Sequence, residues 1–319
     1  MKHMKSSIIL IVLALQFTTA GMAMAQDPPL TYRLHTGDTF FLNVDLQQNT
    51  HSESIESEEI SFYNVTRIEF RVDSIGPSGR IHMSVKYRDL LISMLAPRMD
   101  IDISSSSGKN LMLSKMVDML EQSAFHMAMT PRGELVDLAG LEEIFAPLAS
   151  LPAEDTTEQQ VILATLEEAY GPYAFKSNCN LFLWIYPVIQ PMTNWTNDIT
   201  YYFNTKAVEM VNRYYLSKST EKVAVIQGMG MLNSTNEFFE TTEMGEVKSA
   251  VSGSQTYDFQ VDLESGWLNK CNSRQRVIIE TTVLKSRYLP TGLRIPSYTE
   301  TVFEVSGGRV EQTTETGKR

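Results

Sequence analysis

The chain has 319 residues, 43% of them apolar, and carries 27 Lys and Arg against 38 Asp and Glu, a formal charge of −11. Its length allows one elaborated domain or two sheet modules. The acidic balance argues against nucleic acid as a partner, because phosphates demand a basic stripe.

Residues 1–25 read as a secretory signal: Lys2 and Lys5, an apolar run from Ile8 to Leu15, then Ala23-Met24-Ala25 as a small-x-small cleavage site before Gln26. The expected product is periplasmic or secreted after cleavage near Ala25, with a formal charge of −13 once Lys2 and Lys5 are gone. No later segment reaches the ~20 apolar residues of a membrane helix, so no stable membrane insertion is expected.

Phe40, Leu42, Val44 and Leu46 open the mature chain with strand parity. The polar stretch from Gln47 to Ser61 reads as an exposed loop or a twisted strand extension. From Arg67 to Arg88 polar and apolar residues alternate on both sides of Gly76-Pro77-Ser78-Gly79, which predicts a β-hairpin with one wet face. A polar break from Ser104 to Asn110 precedes a helical pattern over Leu111–Leu120. Phe125, Met127 and Met129 resume strand parity, Thr130-Pro131-Arg132-Gly133 turns the chain, and Leu135–Leu138 returns it.

The middle is helical. Leu141, Ile144, Phe145 and Leu148 suit a short helix limited by Pro147. Asp155 and Glu158 form a capping-box pattern for a helix to Tyr170, stopped by Gly171-Pro172, and a further helix is predicted over Tyr173–Ile185. Strand patterns return over Ile199–Leu216, Val223–Gln227, Gln255–Leu263 and Trp267–Val283, with Glu264-Ser265-Gly266 as a hairpin turn. The predicted class is α+β: predominantly antiparallel curved sheet, as one domain or two half-barrel-like modules, with a central helical segment. The expected division is a signal (1–25), an N-terminal β-rich module (26–150), a helical connection (151–195), a C-terminal β-rich module (196–307) and a disordered tail (308–319).

Cys179 and Cys271 are the only cysteines. In an oxidising compartment they could form one disulfide pinning the helical region to a late strand, and two separate buried thiols are the alternative.

Met129-Thr130-Pro131-Arg132-Gly133-Glu134-Leu135-Val136-Asp137-Leu138-Ala139-Gly140-Leu141 resembles a turn-and-strand motif of a family of exported bacterial proteins of unknown function. Leu166–Trp195, with Tyr186-Pro187 and Trp195, is similar to that family's helix-to-Tyr-Pro-to-Trp passage. Ser254–Arg276, with Tyr257, Asp262, Gly266 and Trp267, resembles its strand-Asp-x-x-x-Gly turn, and Gly37-Asp38 matches near the start. Where the family usually reads Gly-Asp ahead of the Trp, this chain has Thr193-Asn194. The resemblance implies a periplasmic or secreted setting and brings no catalytic residues. At the level of fold alone, the architecture resembles the half-barrels of envelope lipid and lipoprotein carriers.

Chemistry-bearing motifs are sparse. His35, His51, His82 and His126 are scattered without metal-ligand spacing, no Gly-x-Ser-x-Gly elbow occurs, and Gly228-Met229-Gly230 is only a fragment of a dinucleotide fingerprint. Glu58-Glu59, Glu142-Glu143 and Glu167-Glu168 read as solvated faces. Met112, Met116 and Met119 share a helical face that suits a core first and an adaptable apolar groove second; copper(I) at Met127-x-Met129 or Met229-x-Met231 ranks third. No metal or cofactor is called for.

A non-catalytic exported protein ranks first, binding an apolar ligand such as a lipid, or an envelope protein, on its curved sheet. The expected pocket is lined by Ile68, Phe70, Met83, Val85, Met116 and Met119. The alternatives are an exported hydrolase with a dispersed acidic and His site, or a purely structural or interaction protein.

Overall fold

Side chains two apart on a strand share a face, so parity decides what each strand buries. The computed structural model describes residues 30–53, 58–96, 99–104, 111–149, 156–189, 192–203, 206–234, 237–242 and 245–310. The signal segment with its cleavage site, most of the Ser104–Asn110 break, the cap at Asp155 and the chain beyond Val310 lie outside the described residues.

Within them, thirteen strands form one open, curved, antiparallel sheet. The first six are β1 (Thr39–Ser52), β2 (Glu58–Ile75), β3 (Ile81–Ala96), β4 (Met99–Ser104), β5 (Phe125–Met129) and β6 (Leu135–Ala139). The last seven are β7 (Asn194–Phe203), β8 (Lys206–Ser219), β9 (Val223–Asn233), β10 (Phe238–Thr242), β11 (Gly245–Asp262), β12 (Leu268–Lys285) and β13 (Arg294–Arg309). Between the two groups stand the helices α2 (Leu141–Ala149), α3 (Thr156–Tyr170) and α4 (Pro172–Phe182), while α1 (Leu111–Gln122) joins β4 to β5. The spatial order is β6-β5-β3-β2-β1-β13-β12-β11-β9-β8-β7, with β4 on β3 and β10 on β11. The fold is therefore α+β, and the two sheet-rich segments of the sequence meet in one sheet along the β1–β13 seam.

That seam runs from Phe40 opposite Arg309 to Ser52 opposite Ser297. It carries the chain through Gly307 and Gly308 to Arg309, past the point where a tail is expected. Glycine is needed at 307 because a Cβ there would lie 2.2 Å from the Leu268 carbonyl oxygen. Asp38 is buried and pairs with Arg309, tying the start of β1 to the end of β13.

The hairpin of β2 and β3 pairs Ile68 with Tyr87, Phe70 with Val85 and Val72 with Met83. Parity changes once in β3: Ile81, Met83, Val85 and Tyr87 are buried, then Leu90 and Ile92. The cause is a bulge at Asp89, whose φ of 49° is the only positive value among the described non-glycine residues. The end of α1 docks there. Glu121 accepts a hydrogen bond from the Leu90 amide (2.9 Å), and Arg88 donates to the Glu121 carbonyl (3.2 Å).

Gly171 separates α3 from α4, and a Cβ there would press to 2.4 Å from the Glu167 carbonyl. Pro172 then starts α4 with its φ already suited to a helix. Pro147, expected to limit α2, lies inside its last turn. The helices cover the inner face: Tyr87 donates to the Tyr170 carbonyl at 2.8 Å, and Phe182 meets Phe303 edge-on at 5.4 Å between centroids.

The motif residues converge at one end of the sheet. The turn at 130–133, the loop at 183–187, the turn at 264–266 and the segment 30–36 hold one another there. The Tyr32 amide donates to the Pro131 carbonyl (2.8 Å), the Tyr32 hydroxyl to the Leu183 carbonyl (3.0 Å) and the Arg33 amide to the Ser265 carbonyl (2.7 Å). Tyr186 donates to the Gly266 carbonyl (2.5 Å), and Trp267 Nε1 to the Phe41 carbonyl (3.0 Å). Asp262 shapes its turn by accepting from both the amide (2.8 Å) and the hydroxyl (2.6 Å) of Ser265. Around this knot the rings of Phe40 and Trp267 stack at 4.8 Å, with Tyr32 and Phe70 edge-on to the indole.

Cys179 on α4 and Cys271 on β12 are both buried free thiols, so the bridge considered between them is not formed. They occupy different parts of the core: Cys179 lies among Tyr32 and Tyr87, and Cys271 among Tyr214 and Tyr257. Burial pushes both thiols well above their ordinary pKa.

Candidate functional site

Packing of α3 and α4 on the inner face leaves a cavity of about 340 Å³, at the low end of the ~300–1,000 Å³ typical of small-molecule pockets. Its floor is a product of parity. Val44, Leu46, Gln48 and Thr50 line it from β1, and Ile60, Phe62, Asn64, Thr66 and Ile68 from β2. β13 adds Thr299 and Phe303. Glu168 and Tyr170 of α3, Ala174 and Ser177 of α4, and Tyr201 and Tyr202 of β7 enclose the other side.

The floor mixes polar and apolar groups along its whole length: Thr66 and Asn64 of β2 lie against Val44 and Leu46, and Phe62 and Ile60 against Gln48 and Thr50. Gln48 begins a polar row that crosses the inner face from β1 to β7 through registered partners: Thr301 on β13, Gln275 on β12, Gln255 on β11, then past Gly230 to Asn212 on β8 and Asn197 on β7. Buried amides must be hydrogen-bonded to be tolerated. Gln275 donates to Gln255 (2.9 Å), Gln255 to Ser273 (2.7 Å), and Tyr257 to Asn212 (3.0 Å). Gly230 has no side chain because the Asn212 amide occupies its space, 2.4 Å from where a Cβ would stand. The Gly228-Met229-Gly230 fragment is thus explained by packing inside β9.

Of the six residues expected to line a pocket, only Ile68 lines this cavity. Phe70, Met83, Val85 and Met116 are fully buried core, and Met119 packs against that core. The residues that sequence reasoning missed are the inward polar ones, Gln48, Thr50, Asn64, Thr66 and Thr299, together with Glu168. Glu168, read as part of a solvated face, is exposed on one side and lines the cavity on the other. Protein atoms crowding it raise its carboxyl pKa by desolvation. Burial also raises the Tyr170 and Tyr201 phenols, the latter pushed up to about 12. Among the described lining residues Glu168 alone carries a formal charge, and no Lys, Arg or His joins it.

Other chemistry-bearing residues are placed less suggestively. Asp73, Ser84 and His126 meet on the outer face, where Ser84 donates to Asp73 at 2.6 Å and its oxygen lies 3.4 Å from His126 Nδ1. A hydrolytic triad needs the imidazole between serine and carboxylate, one nitrogen to each. Here the hydroxyl is already given to Asp73, and Asp73 faces the same Nδ1 at 3.9 Å. The trio also lies outside the cavity. His126 points outward from β5 while Met127 and Met129 are buried, so they cannot share an ion; Met229 and Met231 are each 55% exposed on the outer face of β9. Among the described residues no three His, Cys, Asp or Glu side chains are grouped to hold a metal. No described helix is long and apolar enough to cross a membrane.

Comparison with known proteins gives distant relationships of shape. Over 90% of its residues the chain is similar to lipovitellin, in a structure titled "Lipid-protein interactions in lipovitellin", at 9% identity and a TM-score of 0.49. It spans only 26% of that protein's chain. Similarity to OpdQ of Pseudomonas aeruginosa has a TM-score of 0.21 at 7% identity, over 87% of this chain and all of the other. For an outer membrane channel of Pseudomonas putida F1 the TM-score is 0.20 at 7% identity, covering 88% of this chain and 99% of that one. No curated protein matches the sequence. Residues 78–268, running from the β2–β3 turn through the helices to the second knot turn, match the family of unknown function DUF6263, and the chain belongs to that family.

Proposed function

We propose that this chain is an exported, non-catalytic binding protein that takes a small apolar molecule into the cavity between its curved sheet and helices α3 and α4. One observation carries the reading: a preformed cavity of about 340 Å³ walled by apolar and tyrosine side chains interspersed with hydroxyl and amide groups, the kinds of group that line small-molecule sites. A periplasmic or secreted setting accords with the signal-like residues 1–25. The test is native mass spectrometry of residues 26–319 purified from a bacterial periplasm without detergent. The expected result is an adduct of lipid-like mass that is lost on denaturation and absent from Ala174→Phe, which fills the cavity from α4. A clean mass for the parent protein, together with no uptake of an added apolar fluorophore, would overturn the reading and favour an envelope protein as the partner.

A further inference from the structure

The strand order ends on two unlike edges, β6 and β7. β6 is five residues long, and its pairing with β5 slips at Met129; short, bulged edge strands resist joining another chain. β7 is ten residues long, pairs with β8 without a break in register, and carries one charge, Asp198, and no proline. Helix α4 shows which of its backbone groups face away from β8. Asn180 donates to the Thr200 carbonyl (2.8 Å), while Ser177 accepts from the Tyr202 amide (2.9 Å) and donates to the Tyr202 carbonyl (3.4 Å). The Thr193 carbonyl, of opposite parity, accepts from Leu216 of β8 (2.9 Å). Backbone groups alternate in direction along a strand, so the amides and carbonyls of Asn194, Thr196 and Asp198 point away from β8 as well. Among the described residues no hydrogen bond reaches them, and all three residues are exposed. One half of β7 is thus closed by α4 and the other half is open.

The open half is self-complementary. Set antiparallel to a second copy with Thr196 opposite Thr196, it brings Asn194 of each chain against Asp198 of the other, and every open amide meets an open carbonyl. In this register an Asn194 side-chain amide faces each Asp198 carboxylate, and the two carboxylates do not oppose one another, which would be unfavourable. A register shifted toward Thr200 would compete with the Asn180 cap. The residues leading into β7 supply apolar surface beside this edge: Val188 and Ile189 are 67% and 68% exposed, and the register carries exposed Met192 to Thr200 of the second copy. We propose that the chain forms a two-fold symmetric dimer through residues 194–198 of β7, joining the two sheets edge to edge. Such a contact closes on itself and leaves no further edge of the same kind.

Sedimentation equilibrium of residues 26–319, from micromolar to hundred-micromolar concentration, tests this on the parent protein and on Thr196→Pro, which removes an outward amide and spares the ladder to β8. The parent is expected to reach twice the monomer mass, and Thr196→Pro to stay monomeric with parent-like tryptophan fluorescence. Cysteine variants decide the matter even if proline disturbs the strand. Directly opposed hydrogen-bonded residues have Cα atoms about 5.5 Å apart, within disulfide range. Thr196→Cys is therefore expected to cross-link on mild oxidation and Thr200→Cys is not, the native thiols being buried. A parent protein that is monomeric throughout and does not cross-link at 196 would overturn the dimer and leave the edge to an extended peptide of another protein. A dimer that survives Thr196→Pro and fails to cross-link at 196 would place the interface elsewhere. Masses that grow beyond the dimer would mean a head-to-tail contact, and would likewise overturn the symmetric pairing.

Discussion

Replacing Gly133 by alanine is expected to cost far more stability than replacing Gly37, although the two share a backbone conformation. Their φ values are 92° and 91°, in the left-handed region that costs an L-residue about 1–2 kcal/mol. At Gly37 this is the entire penalty, because an added Cβ meets nothing within 4 Å. At Gly133 the Cβ would lie 1.8 Å from the Leu183 carbonyl oxygen and 2.8 Å from the Tyr32 ring. The turn must retreat, and in doing so it parts the Tyr32 hydroxyl from Leu183 and the Tyr32 amide from Pro131. A buried hydrogen-bonding group left without its partner costs about 1–3 kcal/mol, and two bonds are parted, so Gly133→Ala should lose about 3–8 kcal/mol in total against about 1–2 for Gly37→Ala. Urea unfolding followed by tryptophan fluorescence reads the difference as a shift in midpoint at constant slope. Trp267 and Trp195, both buried near the knot, supply the signal. Equal midpoints for the two variants would refute the argument that contact with the 183–187 loop, beyond backbone conformation, demands glycine at 133.

Three further outcomes are expected. Gln255→Leu should destabilise by about 1–3 kcal/mol, because it leaves the buried Gln275 amide and Ser273 hydroxyl without their partner; a neutral effect in urea unfolding would mean that water or repacking fills the gap. Native protein should resist thiol reagents at Cys179 and Cys271 and take up two equivalents only after unfolding, as both are buried and free; intact mass before and after alkylation checks this, and one rapidly labelled site would contradict the packing. Glu168 has a folded-state pKa raised above 4.5, so the folded protein holds more protons than the unfolded one between the two values, and stability falls as pH rises through that window. Glu168→Gln should flatten that part of the profile of melting temperature against pH.

The β2–β3 hairpin is the most legible part of the sheet, because its inner face is apolar from Ile68 to Tyr87. Ile68, Phe70 and Val72 against Met83, Val85 and Tyr87 define the β2–β3 hairpin, and the structure pairs them as the alternation implies. Legibility fails in β1 and β13, where the inner face turns polar. Gln48 and Thr50 hold the parity set by Phe40, Leu42 and Val44, yet as polar residues they read as a loop or strand extension, while β1 continues through them to Ser52. Thr299 and Thr301 hide β13 in the same way. The signal that could have found them is parity itself, continued by uncharged polar residues while Glu300 and Glu304 take the opposite face. The cavity was illegible for a related reason: alternation tells which face is covered, not whether the covering packs solidly. Phe70, Met83, Val85 and Met116 are covered by tight packing, whereas the hollow lies where hydroxyls and amides interrupt the apolar floor. Gly266 is legible as a turn residue because the demand is local, a positive φ of 73°, whereas Asp262 enters only through the family resemblance and proves to accept from Ser265, three positions on.

The β1–β13 seam makes the order of events in folding matter. Thr50 and Thr299 are hydrogen-bonded at 3.0 Å across a separation of 249 positions, so one edge of β1 has no lasting partner until nearly the whole chain has been made. Contacts this distant in sequence form slowly, and an unpaired strand edge templates aggregation while it waits. Time spent with β1 unzipped is therefore the vulnerable interval in this protein's production. Variants that weaken β13 should lower yield through precipitation during synthesis more than they lower the melting temperature of molecules that reach the native state.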